Sequence, residues 1–155
     1  MAALCAKHPV HVLVNNTAGP PGGPAYAATP ESYEAVFRQH LLANQVLVQA
    51  VLPGMQAAGW GRIVNVISTS VKEPIANLGV SNTIRGAVAS WAKTLASELG
   101  PFGITVNNVL PGYTRTQRLD QILAERAAAS GKPAAEIAQA MLATVPAGRF
   151  AEPAE

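Results

Sequence analysis

Three short apolar segments, separated by two helical patterns, constrain the fold of this chain more than any other feature. They cover residues 10–14, 63–67 and 104–110 and are rich in valine, isoleucine and leucine. Such nearly continuous apolar runs are typical of strands in a parallel sheet that is covered on both faces. Their alternation with helical segments predicts an α/β fold in which helices flank an open parallel sheet of about three strands.

The first helical pattern begins after the first apolar segment. Thr29 is suited to the N-cap and Pro30 to the first helical position, where the missing N–H costs nothing. Apolar residues then recur at three-and-four spacing up to residue 52: Val36, Phe37, Leu41, Leu47, Val48, Val51 and Leu52. We expect Pro53-Gly54 to end or kink this helix, because proline removes an internal hydrogen bond.

A second long helix is expected from about residue 80. Its apolar stripe reads Ile84, Val88, Trp91, Leu95 and Leu99. Glycine and proline at 100–103 break the pattern before the third apolar segment. Two weaker, alanine-rich helices are expected at about 115–129 and 133–143.

Composition narrows the class of protein. The 155 residues suit one domain, so we predict a single unit over 1–155. Only 13% of residues are charged, against about 25% in an average globular protein, and a surface so poor in charge suggests a protein partner. The net charge of +2 without a basic run gives no electrostatic reason to expect nucleic acid or a membrane as partner.

The lone cysteine and the amino-terminal residues bear on location. Cys5 has no second cysteine with which to form a disulfide, which favours a reducing compartment. Residues 1–7 do not resemble a secretion signal, and no apolar run reaches the roughly 18 residues of a membrane span. We therefore expect a cytoplasmic protein.

The loops that follow the three apolar segments are the expected ligand sites. They begin at Asn15, Ser68 and Pro111. In open parallel sheets, ligands bind beyond the carboxyl ends of the strands, where such loops meet. The candidate binding and catalytic residues are therefore sought in these loops and in the helices beside them.

Sequence motifs in these loops resemble the short-chain dehydrogenase/reductase family, in particular its 3-oxoacyl-carrier-protein-reductase-like members. Residues 13–19, LVNNTAG, resemble the family's Asn-Asn-Ala-Gly motif, with Thr17 where alanine is usual. Residues 61–68, GRIVNVIS, resemble the strand that delivers the active-site serine. Residues 103–112, GITVNNVLPG, resemble the strand and Pro-Gly turn beside the nicotinamide. The resemblance implies a partial Rossmann-like, doubly wound parallel sheet.

The resemblance also points to four catalytic positions. The family uses a serine, a tyrosine, a lysine and an asparagine, and here these positions hold Ser68, Ser81, Arg85 and His40. The tyrosine matters because its phenol, with a pKa of about 10 that the lysine lowers, exchanges a proton with the substrate. A serine hydroxyl is a far weaker acid, and arginine does not release its proton. The resemblance thus implies a degenerate active site.

The cofactor implied by the resemblance is NADP or NAD. Two stretches of the sequence would line it: Asn15, Asn16, Ala18 and Gly19, and then Pro111, Gly112, Thr114 and Thr116. The glycine-rich fingerprint that cradles the pyrophosphate does not occur in this sequence, and the residue that selects NAD or NADP lies in the same family region. We expect no metal site.

Aligned with the family, the chain corresponds to its carboxyl-terminal half. The alignment begins within the helix before the fourth family strand and stops near Pro153, which implies truncation at both ends and two open sheet edges. The leading hypothesis is an NAD(P)-dependent oxidoreductase homologue, weak or inactive as this fragment, that acts on a small-molecule alcohol or ketone.

Two alternatives remain open. The chain could be a non-catalytic protein that self-associates through helices at about 30–52 and 80–99, which build the dimer in this family. It could also be a cofactor-free enzyme similar to halohydrin dehalogenases, which carry arginine at the lysine position. Those enzymes keep the tyrosine, so Ser81 argues against this reading.

Overall fold

A three-stranded parallel sheet forms the centre of the fold, as the apolar segments predict. The computed structural model describes residues 8–155, and Cys5 lies outside the described residues. Strands β1 (Val12–Asn16), β2 (Gly61–Val66) and β3 (Ile104–Val109) pair in the order β1-β2-β3. The register pairs Asn15 with Asn65 and Asn65 with Asn108. Equivalent positions of the three strands therefore lie side by side.

Helices connect the strands and follow them. Helix α1 (Pro30–Phe37) continues through one π-helical segment (Arg38–Leu42) into α2 (Ala43–Ala58), and the Thr29 side chain caps α1 as predicted. Helix α3 (Gly79–Leu99) connects β2 to β3. Helices α4 (Gln117–Ser130) and α5 (Ala134–Leu142) follow β3. Short 3-10 turns occupy Ala25–Ala27, Thr69–Val71 and Gly100–Phe102.

Two predicted boundaries are wrong. The first strand was expected to end at residue 14, but it runs to Asn16 because the Asn15 side chain finds a partner inside the sheet. The long helix was expected to end or kink at Pro53; an end there is wrong, because α2 continues to Ala58 and ends at Gly59 in the left-handed conformation. Because proline has no N–H, the backbone carbonyl four residues before Pro53 lacks its usual helical donor. Pro53 is exposed, so water can hydrate that carbonyl.

The main core lies on one face of the sheet. Leu13, Ile63, Ile104 and Val106 point from the strands toward α2 and α3, which contribute Val48, Val51, Met55, Ala92 and Leu99. Trp91 packs at the edge of this core, and its indole N–H donates to Gln45 Oε1 at 2.9 Å. A smaller cluster of Val36, Val80 and Ile84 joins α1 to the start of α3.

The chain divides into two compact units, Met1–Leu110 and Pro111–Glu155. In the second unit, α4 and α5 enclose Leu119, Met141 and Phe150. Residue Thr114 bridges to Ala151, and Arg115 forms an exposed ion pair with Glu152 at 2.8 Å. The prediction of one domain over 1–155 stays a prediction.

Candidate active site

A row of asparagine side chains crosses the sheet near the carboxyl ends of its strands. Asn15 Nδ2 donates to Asn65 Oδ1 at 2.8 Å, and Asn65 Nδ2 donates to Asn108 Oδ1 at 3.1 Å. Asn15 and Asn65 are almost fully buried. Buried amides are costly unless they are paired, so this row fixes the mutual register of the three strands.

Ser68 follows β2 and starts the next turn. Its backbone is extended, and its hydroxyl accepts a hydrogen bond from the Ser70 N–H at 3.1 Å. The side chain is only half-buried. Ser68 therefore caps the 3-10 turn at Thr69–Val71 while its residue remains accessible from the carboxyl edge of the sheet.

Ser81 and Arg85 lie one helical turn apart in α3, and both are buried. Arg85 Nε donates to Ser81 Oγ at 3.4 Å, and Arg85 Nη1 donates to the carbonyl oxygens of Val66 and Ile67 at 3.2 and 3.0 Å. Those carbonyls stand at the end of β2, directly before Ser68. The guanidinium thus places a positive charge beside the residue that ends this strand.

His40 occupies the centre of the π-helical segment between α1 and α2. Its ring is 2% exposed, and Nδ1 lies 2.7 Å from the Thr17 hydroxyl oxygen. Single π-helical turns inside α-helices are frequent at functional sites. The side chain that faces the loop after β1 from this turn is His40.

The pKa of His40 is lowered, chiefly by burial. The nearby Arg85 charge lowers this pKa further, while a hydrogen bond to the Ala18 backbone opposes both effects. A buried imidazole near a cation disfavours its protonated form. His40 is therefore held neutral more firmly than an exposed histidine would be.

Arg85 links the predicted catalytic positions at the carboxyl end of β2. Arg85 contacts Ser81 and the strand end before Ser68, and its charge acts on His40. Thr17 departs from the family motif but is not among the site residues predicted from the sequence. Asn65 and Asn108 were not predicted either, although the recurrence of asparagine in three apolar strands is a visible signal of the row of asparagine side chains.

The loop after β1 carries one set of predicted cofactor residues. Asn15 turns into the sheet, whereas Asn16, Ala18 and Gly19 are exposed. The loop is tied to the start of α3, because Gly23 N donates to the Asn77 carbonyl at 2.7 Å and Gly79 N donates to the Gly23 carbonyl at 3.0 Å. A Cβ at Gly79 would lie 2.4 Å from the Ala25 backbone, so this approach requires glycine.

An apolar cavity of about 210 Å³ lies beneath this loop. It is lined by the proline- and glycine-rich residues of the loop together with residues of α1 and α3: Pro20, Pro21, Gly22, Gly23, Pro24, Ala27, Ala28, Ser32, Val36 and Val80. Such a lining suits an aliphatic group better than a charged one.

The other predicted cofactor residues belong to the second compact unit. Pro111, Gly112 and Thr116 are exposed, and Thr114 is half-buried beside Ala151. Among residues 8–155, no atom beyond the chain neighbours lies within 4 Å of the position where a Cβ would stand on Gly112. The backbone of this turn is therefore open to close approach by a ligand.

Within residues 8–155, no group of three or more metal-ligating side chains occurs. The same part of the chain has no helix that is long and apolar enough to cross a membrane.

Polar atoms without a hydrogen-bond partner among the described residues include His40 Nε2, Asn15 Oδ1 and Ser70 Oγ, all of them buried. These atoms gather near the carboxyl ends of β1 and β2.

A parallel sheet, covering helices and polar side chains at the carboxyl edge define a Rossmann-like α/β domain. The chain belongs to the short chain dehydrogenase family, whose model matches residues 2–127. The resemblance seen in the three loop motifs is thereby confirmed.

Known proteins of this family are similar over nearly the whole chain. L-xylulose reductase of Bos taurus is 38% identical over 97% of this chain, and nodulation protein G of Azospirillum brasilense is 33% identical over 95%. The crystal structure of the F189W actinorhodin polyketide ketoreductase with NADPH superposes with a TM-score of 0.87 at 31% identity, over 98% of this chain.

This chain is shorter than the proteins that it resembles. It spans 58% of the L-xylulose reductase, 55% of nodulation protein G and 59% of the ketoreductase chain. The comparisons establish the family and the Rossmann-like fold.

Proposed function

We propose that this protein is an NAD(P)-dependent oxidoreductase, similar to 3-oxoacyl-carrier-protein reductases, that exchanges a hydride with a small alcohol or ketone. The observation that supports the proposal is the position of Arg85, which contacts Ser81 and the end of β2 directly before Ser68 and whose charge acts on His40. The ketoreductase that superposes with this chain is described with NADPH, which supports the choice of cofactor class.

The residues at the carboxyl edge fit the nicotinamide half of such a cofactor. Asn16, Ala18 and Gly19 are exposed, and the buried Asn15 Oδ1 and His40 Nε2 lack partners within the described chain. We assign cofactor contacts to the loop after β1. A second set of contacts, Pro111, Gly112, Thr114 and Thr116, is proposed from the family resemblance alone. When bound, the nicotinamide would supply or accept the hydride.

Each side chain has a proposed role set by its chemistry. The Ser68 hydroxyl would donate a hydrogen bond to the substrate oxygen, since the residue is half-buried at the strand end. Arg85 would keep a positive charge beside that oxygen and orient Ser81 through their 3.4 Å contact. Both effects stabilise negative charge that develops on the oxygen during hydride transfer.

We expect the activity of this chain to be weak. Ser81 stands where the family has its tyrosine, and an aliphatic hydroxyl is a poor proton donor at neutral pH. Arg85 donates to two backbone carbonyls and does not release a proton, so it cannot relay one as a lysine could. The sequence also lacks the glycine-rich cradle for the pyrophosphate.

A second candidate function is association without catalysis. Phe37, Leu42 and Val46 are exposed along the segment from α1 to α2, which is unusual for large apolar side chains at helical spacing. We propose that this surface, together with α3, mediates self-association, as expected for helices at about 30–52 and 80–99. The two functions are compatible, because an oligomer could also bind the cofactor.

Cofactor titration tests the proposal. The purified chain is titrated with NADPH and NADH while cofactor fluorescence reports binding and light scattering reports the oligomeric state. We expect saturable binding that Ser68→Ala retains and Asn16→Asp weakens, because a carboxylate in the loop after β1 would repel the phosphates. A folded oligomer that binds neither cofactor would retire the oxidoreductase proposal and leave association.

A further inference from the structure

Two residues that depart from the family pattern contact each other. The family motif has alanine where this chain has Thr17, and asparagine where it has His40. The Thr17 hydroxyl oxygen lies 2.7 Å from His40 Nδ1, a short hydrogen bond that an alanine could not make. The two replacements therefore form one interaction between the loop after β1 and the π-helical segment.

The contact orients a ring that is removed from solvent. His40 is 2% exposed, and Nδ1 faces the loop, while Nε2 has no hydrogen-bond partner among the described residues. Leaving a buried polar atom unpaired costs roughly 1–3 kcal/mol. A buried polar atom that stays unpaired in a native structure needs a physical explanation. For His40 Nε2, one explanation is a hydrogen bond to a substrate or water that occupies the site during catalysis.

The surroundings of His40 favour a neutral ring. Burial and the charge of Arg85 in α3 both lower its pKa, and the loop after β1 presents the Thr17 hydroxyl and a backbone hydrogen bond at Ala18. A neutral imidazole carries one hydrogen, on Nδ1 or on Nε2, and the partner of one nitrogen decides which. On the loop side of the ring, the Thr17 hydroxyl oxygen lies against Nδ1 and can accept its hydrogen.

We propose that Thr17 is a positioning residue that holds the hydrogen of His40 on Nδ1, so that Nε2 is the proton acceptor of the active site. The inference rests on the proposed oxidoreductase function. During alcohol oxidation, the O–H bond of the substrate breaks and its proton passes to Nε2, while the hydride leaves the carbinol carbon for an oxidised nicotinamide. In the reverse direction, the imidazolium returns the proton to the oxygen.

Nitrogen-15 NMR of the histidine rings tests the positioning directly and requires no cofactor. We compare the wild type with Thr17→Val, which removes the hydroxyl at similar volume, and Thr17→Ser, which keeps it. We expect one tautomer with hydrogen on Nδ1 in the wild type and in Thr17→Ser, and a mixture of tautomers in Thr17→Val. His8 and His11 serve as internal references.

A functional readout separates positioning from a merely structural role. At neutral pH, Thr17→Val should lower the rate of alcohol oxidation roughly tenfold. This loss is smaller than the roughly 10²–10⁴-fold loss of rate expected when a general base is removed altogether. The variant should also shift the pH profile of the rate. Thr17→Ser should follow the wild type in both the rate and the pH profile.

Three results would overturn the proposal. A wild-type ring with hydrogen on Nε2 would do so, as would a Thr17→Val ring that stays in the wild-type tautomer. An altered tautomer with an unaltered pH profile would reduce Thr17 to a structural role. Absence of cofactor binding would instead refute the proposed function, and the tautomer measurement would still decide whether Thr17 orients His40.

Discussion

The two faces of the sheet differ in what covers them. On one face, Leu13, Ile63 and Ile104 are buried against α2 and α3. On the other, Val12 and Val14 of β1 and Val109 of β3 are about half exposed, at 53%, 58% and 49%. The strands carry apolar residues at both sets of positions, yet only one set contributes to the main core.

This difference shows what the apolar segments encode. Nearly continuous apolar strands predict burial on both faces, as in doubly wound folds. In the part of the chain that the structure describes, the helical layer of α2 and α3 covers one face. The stability of this unit should therefore depend on the covered face, while the opposite face tolerates substitution.

The largest expected effect is at the centre of the covered face. Ile63→Ala removes a side chain that is fully buried between β1 and β3, and it should lower the free energy of unfolding by about 2–5 kcal/mol. Val14→Ala on the open face should change it by less than about 1 kcal/mol. Urea denaturation of both variants measures the difference, and equal losses would mean that the open face is buried in solution.

A smaller effect is expected from the polar row within the covered face. Asn65→Ala removes the amide that bonds Asn15 and Asn108, which leaves buried polar groups unpaired at a cost of about 1–3 kcal/mol. Asn107→Ala, at an exposed position of β3, is the matched control and should be nearly neutral. If the two alanine variants unfold at the same urea concentration, the row does not stabilise the sheet.

Much of the fold follows from the sequence, because strand and helix periodicities reflect burial. The three strands, the apolar stripe of α3 and the cap at Thr29 are confirmed. The end of β1 and the continuation of α2 past Pro53 were not predictable from local preference, since both depend on tertiary context. Asn15 stays in the strand because Asn65 lies opposite, and Pro53 is tolerated because it faces solvent.

The sequence offers candidates for the site, but it does not predict their contacts. The loop motifs identify Ser68, Ser81, Arg85 and His40 as candidates because the family fixes their spacing. The bonds from Arg85 to the end of β2 depend on how closely α3 approaches the sheet. The pairing of Thr17 with His40 depends on the π-helical segment, and no residue pattern in this sequence predicts that segment.

The central claim is that the side chains at the carboxyl edge support hydride transfer, and isotope transfer tests it most directly. The chain is incubated with NADPH deuterated at the nicotinamide C4 and with a panel of small ketones, and the alcohol products are analysed by mass spectrometry. We predict a slow but measurable transfer of deuterium to the carbinol carbon, which Ser68→Ala lowers. Folded, cofactor-bound protein that transfers no deuterium to any ketone would contradict the account.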